Sequence, residues 1–180
     1  PLPVLRQDVP LSKRTGEPPR PWSVLVGLVL FCLAAAAVTG VYARHWWLAV
    51  FPTTYPSSAH LVQWAAPDPG KWLSLTLEGV LALVLVLVAG ACAVAGYQAW
   101  IGWNWARIIS IAALGLTGVA VLLFDLWALV GVGLALLGAV CVFLPDTTRY
   151  FRYFATHRAK LEETYRTPER IFYGRLPRFR

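Results

Sequence analysis

The chain has 180 residues, 58% of them hydrophobic and 14% charged, with a formal net charge of +7. A soluble domain carries about 25% charged residues and about 45–50% apolar ones, whereas here the apolar excess falls in blocks near the roughly 20 residues a helix needs to cross a bilayer. That distribution argues against a water-soluble fold. Nucleic-acid binding is disfavoured because the basic residues stand at the two ends and nearly vanish between them.

Residues 1–21 are rich in proline and carry Arg6, Lys13, Arg14 and Arg20. Such a stretch buries too little apolar surface to fold alone, which predicts a flexible arm able to order on a partner. It is also longer than the n-region of a signal peptide, so the apolar block after it is expected to be retained as a span. Pro1, in a chain without Met, is what removal of an initiator Met leaves, and a complete mature chain is the expectation.

The first span is predicted at about 22–42, with Trp22 and Tyr42 at the interfaces where amphipathic rings prefer to sit. Its second half, Ala34 to Gly40, is a small-residue surface suited to close helix approach in lipid. The one long connection, 43–71, is broken by prolines, with a short surface helix expected around Ser57 to Ala66. Trp46, Trp47, Phe51, Tyr55 and Trp64 mark it as membrane-hugging or partner-covered, and Arg44, His45, Trp46, Trp47, His60 and Trp64 are its candidate contacts.

The second span is predicted at about 72–97, and small residues recur in it from Ala89 to Gly96. Trp103, Trp105 and Arg107 in the short link that follows read as interface anchors. The third and fourth spans, about 106–124 and 126–144, are separated by Asp125 alone, which forces a tight antiparallel hairpin and places Asp125 to cap the fourth. The tail, 146–180, has aromatic and apolar residues at Tyr150, Phe151, Tyr153, Phe154, Leu161 and Tyr165 against a basic face of Arg149, Arg152, Arg158, Lys160 and Arg166. It predicts an amphipathic helix on the inner leaflet, with anionic lipid as its partner, followed by an aromatic–arginine docking extension. Arg149, Tyr150, Phe151 and Arg152 are its candidate contacts.

Lys and Arg retain loops on the cytoplasmic side. The arm has four, the region after the fourth span has nine, the long loop only Arg44 and Lys71, and the hairpin none. Both ends are therefore expected in the cytoplasm and the 43–71 loop outside. The predicted fold class is an all-α integral membrane four-helix bundle, with a membrane domain at 22–145.

Few residues offer chemistry. Glu78 lies about 9 Å into the second span at 1.5 Å per residue, and an ionisable group there is a functional candidate by default. Its structural alternative is a carboxylate near the interface, paired with Arg44, Lys71 or His45. His45, His60 and Asp68 have no ligand-motif spacing, and Cys32, Cys92 and Cys141 form no CxxC pattern, so no metal site is expected. No histidine falls within the predicted spans, which argues against a haem held there. Ser74, Thr76, Ser110 and Thr117 have no nearby base in sequence and are expected to hydrogen-bond to helices. No catalytic residue and no cofactor is predicted.

Gly102-Trp103-Asn104-Trp105-Ala106-Arg107, with Thr148-Arg149-Tyr150-Phe151-Arg152 after the fourth span, resembles a feature of small four-span inner-membrane proteins of actinobacterial type, over about residues 72–152. The resemblance implies a bacterial inner-membrane four-helix protein and carries over no catalytic residue. The expected function is a non-enzymatic accessory or assembly subunit of a larger inner-membrane complex, respiratory or envelope-transport, with other integral membrane subunits as partners and no nucleic acid. The alternative is a homo-oligomeric channel or small transporter using Glu78.

Overall fold

The computed structural model describes residues 12–13, 16–68 and 70–165, with side chains through Ala159. Every regular element in it is helical: α1 (Trp22–Ala49), α2 (His60–Ala65), α3 (Trp72–Trp100), α4 (Trp105–Leu123), α5 (Leu129–Phe143) and α6 (Pro145–Tyr165), with 3-10 turns at Tyr55–Ser57 and Leu126–Ala128. Four stretches are long and apolar enough to cross a membrane: Trp22–Ala49, Trp72–Trp100, Trp105–Leu123 and Leu126–Phe143.

The four pack as a ring in chain order, α1 on α3, α3 on α4, α4 on α5, and α5 back on α1. Their buried positions share one rhythm. In α1 they are Val24, Gly27, Phe31, Ala34, Val38, Val41 and His45, in α4 Ala106, Ser110, Ala113, Thr117 and Ala120. Steps alternating between three and four residues keep a seam facing its neighbour, as in left-handed bundles. The seam residues are mostly small, and glycine sets the closest approaches. A Cβ on Gly131 would lie 2.8 Å from Val38, one on Gly96 2.8 Å from Leu28, and one on Gly138 3.3 Å from Phe31.

The two ends of the bundle differ. At one, here the loop end, residues 50–68 and the Asp125 turn cover the helix termini. His60 donates its backbone N–H to the Phe124 carbonyl at 2.8 Å, and Val62 of α2 is fully buried. Asp125 accepts from the Leu126 N–H at 2.6 Å, the capping role its place at the hairpin predicts. At the other, the tail end, Ser23 at the start of α1 lies 2.8 Å from Thr147 in α6.

Helix α6 is fastened to this tail end. Tyr150 donates to the Trp100 carbonyl at 2.7 Å and Arg158 to the Gly102 carbonyl at 2.7 Å. Tyr150, Phe151 and Phe154 are buried. The expectation of an aromatic face resting on the leaflet is thus corrected for these three, because the bundle itself covers them; Tyr153 remains exposed at 40%. The side chains of Lys160, Leu161 and Tyr165, Arg166 and the rest of the extension, and most of the proline-rich arm lie outside the described residues.

Span limits also shift. Helix α1 runs past Tyr42 to Ala49, shortening the long connection, and α3 runs past Tyr97 to Trp100. Helix α3 is terminated just beyond Trp100 by Gly102, whose φ of +72° suits glycine. Trp103 N–H donates to the Gln98 carbonyl and Gly102 N–H to that of Ala99, the paired bonds of a Schellman cap. A Cβ on Gly102 would also meet the Phe154 ring at 2.8 Å. Gly102→Ala is therefore expected to lower stability by about 2 kcal/mol, from left-handed strain plus overpacking. Gly115→Ala, at a helical site with nothing within 4 Å, is expected to be neutral or slightly stabilising. Denaturation in detergent micelles compares the two.

Candidate functional site

Glu78 stands on the buried seam of α3, in step with Ser74, Leu81, Val88, Cys92, Ala95 and Ala99. Across from it, His45 continues the α1 seam one step beyond Val41. The two meet at the loop end, with His45 Nε2 2.8 Å from Glu78 Oε2. An ionised carboxylate only accepts, so the ring proton of this bond belongs on Nε2. His45 is 1% exposed and Glu78 18%, which makes this a buried link between neighbouring helices. Of the three bases that the sequence offers Glu78, His45 takes the place. Arg44 turns instead to Asp125, and Lys71 to Asp68.

Around this link three buried polar atoms have no hydrogen-bond partner: His45 Nδ1, Glu78 Oε1 and the Tyr55 hydroxyl. Tyr55 enters from the 3-10 turn of the long connection and is 6% exposed. Burial pushes its phenol above the ordinary tyrosine range, and the Glu78 charge adds to the rise. Ser74 donates to the Lys71 carbonyl at 2.8 Å. The sequence shows Ser74 as a helix hydrogen-bonder and Tyr55 as a loop aromatic, but nothing in it places either beside Glu78. The signal for His45 was present, because extending the three-four rhythm of α1 past Val41 reaches it.

The correction to α1 changes a second reading. A histidine does lie within a membrane-crossing helix, so the argument that the spans hold none no longer stands. His45 Nε2 is already engaged by Glu78. Among the described residues no three of His, Cys, Asp and Glu come together as a metal site.

The other candidates separate into two places. At the loop end, Trp46 packs edge-on to Tyr42 and His45, while Trp47 is 73% exposed. His60 stacks on Trp64, with its Nδ1 3.3 Å from the Val121 carbonyl. At the tail end, Arg107 donates to the Thr148 hydroxyl at 2.7 Å and lies 5.7 Å from both the Phe143 and Phe151 rings. Trp103 and Trp105 are exposed beside it, as are Arg149 and Arg152 on α6. Ser110 and Thr117 bond to their own helix, to the Arg107 and Leu114 carbonyls.

The fold and site define a multi-pass helical membrane protein with a buried His–Glu link. Set against protein-family models, curated proteins and solved structures, the chain finds no match.

A buried pair that loses one member leaves the other without compensation. His45→Ala and Glu78→Ala are each expected to cost about 2 kcal/mol, and the double substitution less than their sum by about 1 kcal/mol or more. Melting in micelles of the four proteins in the cycle measures that coupling.

Proposed function

We propose that the chain is a non-enzymatic accessory subunit that docks against other membrane helices in a bacterial inner-membrane assembly, with both of its ends in the cytoplasm. The observation carrying this reading is the division of its glycines. Gly27, Gly96, Gly131 and Gly138 are used inside the bundle, whereas Gly40 on α1, Gly79 and Gly90 on α3, Gly115 and Gly118 on α4 and Gly133 on α5 have nothing within 4 Å of an added Cβ. Gly79 and Gly90 share one face of α3 with the exposed Leu83 and Val86. A glycine costs helix stability unless something uses the space it leaves, and in lipid that use is the close approach of another helix.

Orientation rests on the distribution of Lys and Arg. The tail end gathers Arg20, Arg107, Arg149, Arg152 and Arg158, and the loop end has Arg44 and Lys71, each facing a carboxylate. A respiratory or envelope-transport complex would provide the partner helices.

The second reading, a homo-oligomeric channel or small transporter, draws on the unpartnered atoms of Glu78 and His45. Beneath them the seams of α1 and α3 turn apolar at Val41, Val38, Leu81 and Val88, so a pathway would need surfaces contributed by further copies.

Mild-detergent purification with mass spectrometry is expected to recover the chain with other integral membrane proteins. Gly79→Leu with Gly90→Leu should abolish that recovery without lowering the melting temperature of the isolated bundle. A partner-free monomer from native membranes would sink the proposal. For the second reading the deciding measurement is ion flux in reconstituted vesicles, where Glu78→Gln is expected to change nothing.

A further inference from the structure

We infer that the tail end carries a headgroup site for an anionic phospholipid, in the pocket between the start of α4 and the outer side of α6. The pocket has a volume of about 390 Å³ and is lined by Trp103, Asn104, Trp105, Phe151 and Arg158 among others. Its depth in the bilayer follows from its rims. Trp103 and Trp105 are exposed and stand at the end of a membrane-crossing helix, the level at which indole rings meet lipid headgroups.

Arg158 is the recognising group. Its guanidinium lies 4.1 Å from the centre of the Trp103 ring and 5.7 Å from that of Phe154, and one terminal nitrogen donates to the Gly102 carbonyl. These contacts hold the planar fork at the pocket wall and occupy one donor, leaving others for a phosphate. A carbonyl neutralises no charge, and among the described residues no carboxylate pairs with Arg158. Arg107, against the lining residue Phe151, is in the same state: it bonds to the Thr148 hydroxyl, and its buried Nε has no partner. Among the described residues, the carboxylates Glu17 and Asp146 at this end face other arginines, Arg20 and Arg149. The result is a pair of arginine charges, uncompensated among the described residues, at headgroup depth beside an open pocket. Basic pockets of this kind between helices suit a phosphodiester.

The chemistry calls for a phosphate carried on a lipid. A free phosphate would use the arginines alone, whereas a phospholipid also lays its glycerol and first methylenes against Trp105 and the exposed Ile108 on the α4 face. The site depends on the chain crossing a membrane and is independent of any partner subunit, so loss of one proposal leaves the other standing.

Native mass spectrometry of the full chain in detergent, titrated with phosphatidylglycerol and with phosphatidylcholine, tests the assignment. One phosphatidylglycerol is expected to be retained at least tenfold more tightly than phosphatidylcholine, and millimolar inorganic phosphate should not displace it. Arg158→Gln is expected to remove that preference, and Arg158→Lys to restore part of it because the charge remains. Arg152→Gln, which alters an exposed charge outside the pocket, should leave it intact. Equal retention of the two lipids by the unaltered chain would overturn the site, and this arm does not depend on any variant folding. Displacement by inorganic phosphate would also overturn it, as would an equal effect of the Arg152 and Arg158 substitutions.

Discussion

Close approach at α1 holds the bundle together. Inside a bilayer, lipid tails are as apolar as leucine, so burying one helix against another gains little from the hydrophobic effect, and packing itself must supply the attraction. Phe31 shows how this is met. It is fully buried, with Gly138 of α5 against its ring and Gly96 of α3 near its Cβ. A side chain on Gly96 would displace the end of Leu28, and one on Gly138 would press the Phe31 ring by a few tenths of an ångström, so each glycine keeps α1 in full van der Waals contact with its neighbour. Ala34 and Val38 repeat the arrangement one and two turns further along, against Gly131. The order of the ring follows, because α1 touches both α3 and α5 while α4 closes the far side.

Given that frame, the polar residues sort to the two ends for physical reasons. A carboxylate and an imidazole at seam positions can remain in an apolar bundle only if they face each other, and His45 and Glu78 do so at the loop end, where water lies closest. The seam below them is apolar, so the link stays local. The connection from 50 to 68 is drawn into the same arrangement by Tyr55 and by the bond from His60 to Phe124. At the tail end the excess is of the opposite sign. Arg107 and Arg158 there are held by a hydroxyl, a carbonyl and aromatic faces, while Arg20 pairs with Glu17 and also lies over Trp100 at 4.5 Å. This asymmetry underlies both the proposed orientation and the proposed lipid site.

Much of the fold was legible because hydropathy and length are strong signals for spans. The limits were less so, and α1 shows why. Arg44-His45-Trp46-Trp47 reads as the start of a loop when each residue is taken alone, yet the helix runs through it. Arg44 reaches sideways to Asp125, 81 residues away in sequence, and His45 turns inward to Glu78. Pairings of that kind lie outside any local window. The α6 face was legible as amphipathic, but periodicity says only that an apolar surface covers Tyr150, Phe151 and Phe154, not which one. Arg158 was counted on a solvated basic face for the same reason, while its bond to Gly102 depends on where the α3–α4 turn comes to lie.

The internal economy of the bundle bears on what its surface is for. A single copy packs its seams with Phe31, Leu81, Val88, Ala113 and Ala135, and the one intramembrane acid is engaged by a histidine. Transport by one copy would require parting α1 from α3 at their closest contacts, against the packing that holds the ring. Open glycines on all four spans, Gly40, Gly79, Gly90, Gly115, Gly118 and Gly133, by contrast weaken their own helices and meet nothing among the described residues. The proposed role as a docked subunit accounts for both features together, a core too closed to conduct and an outer face left open to approach.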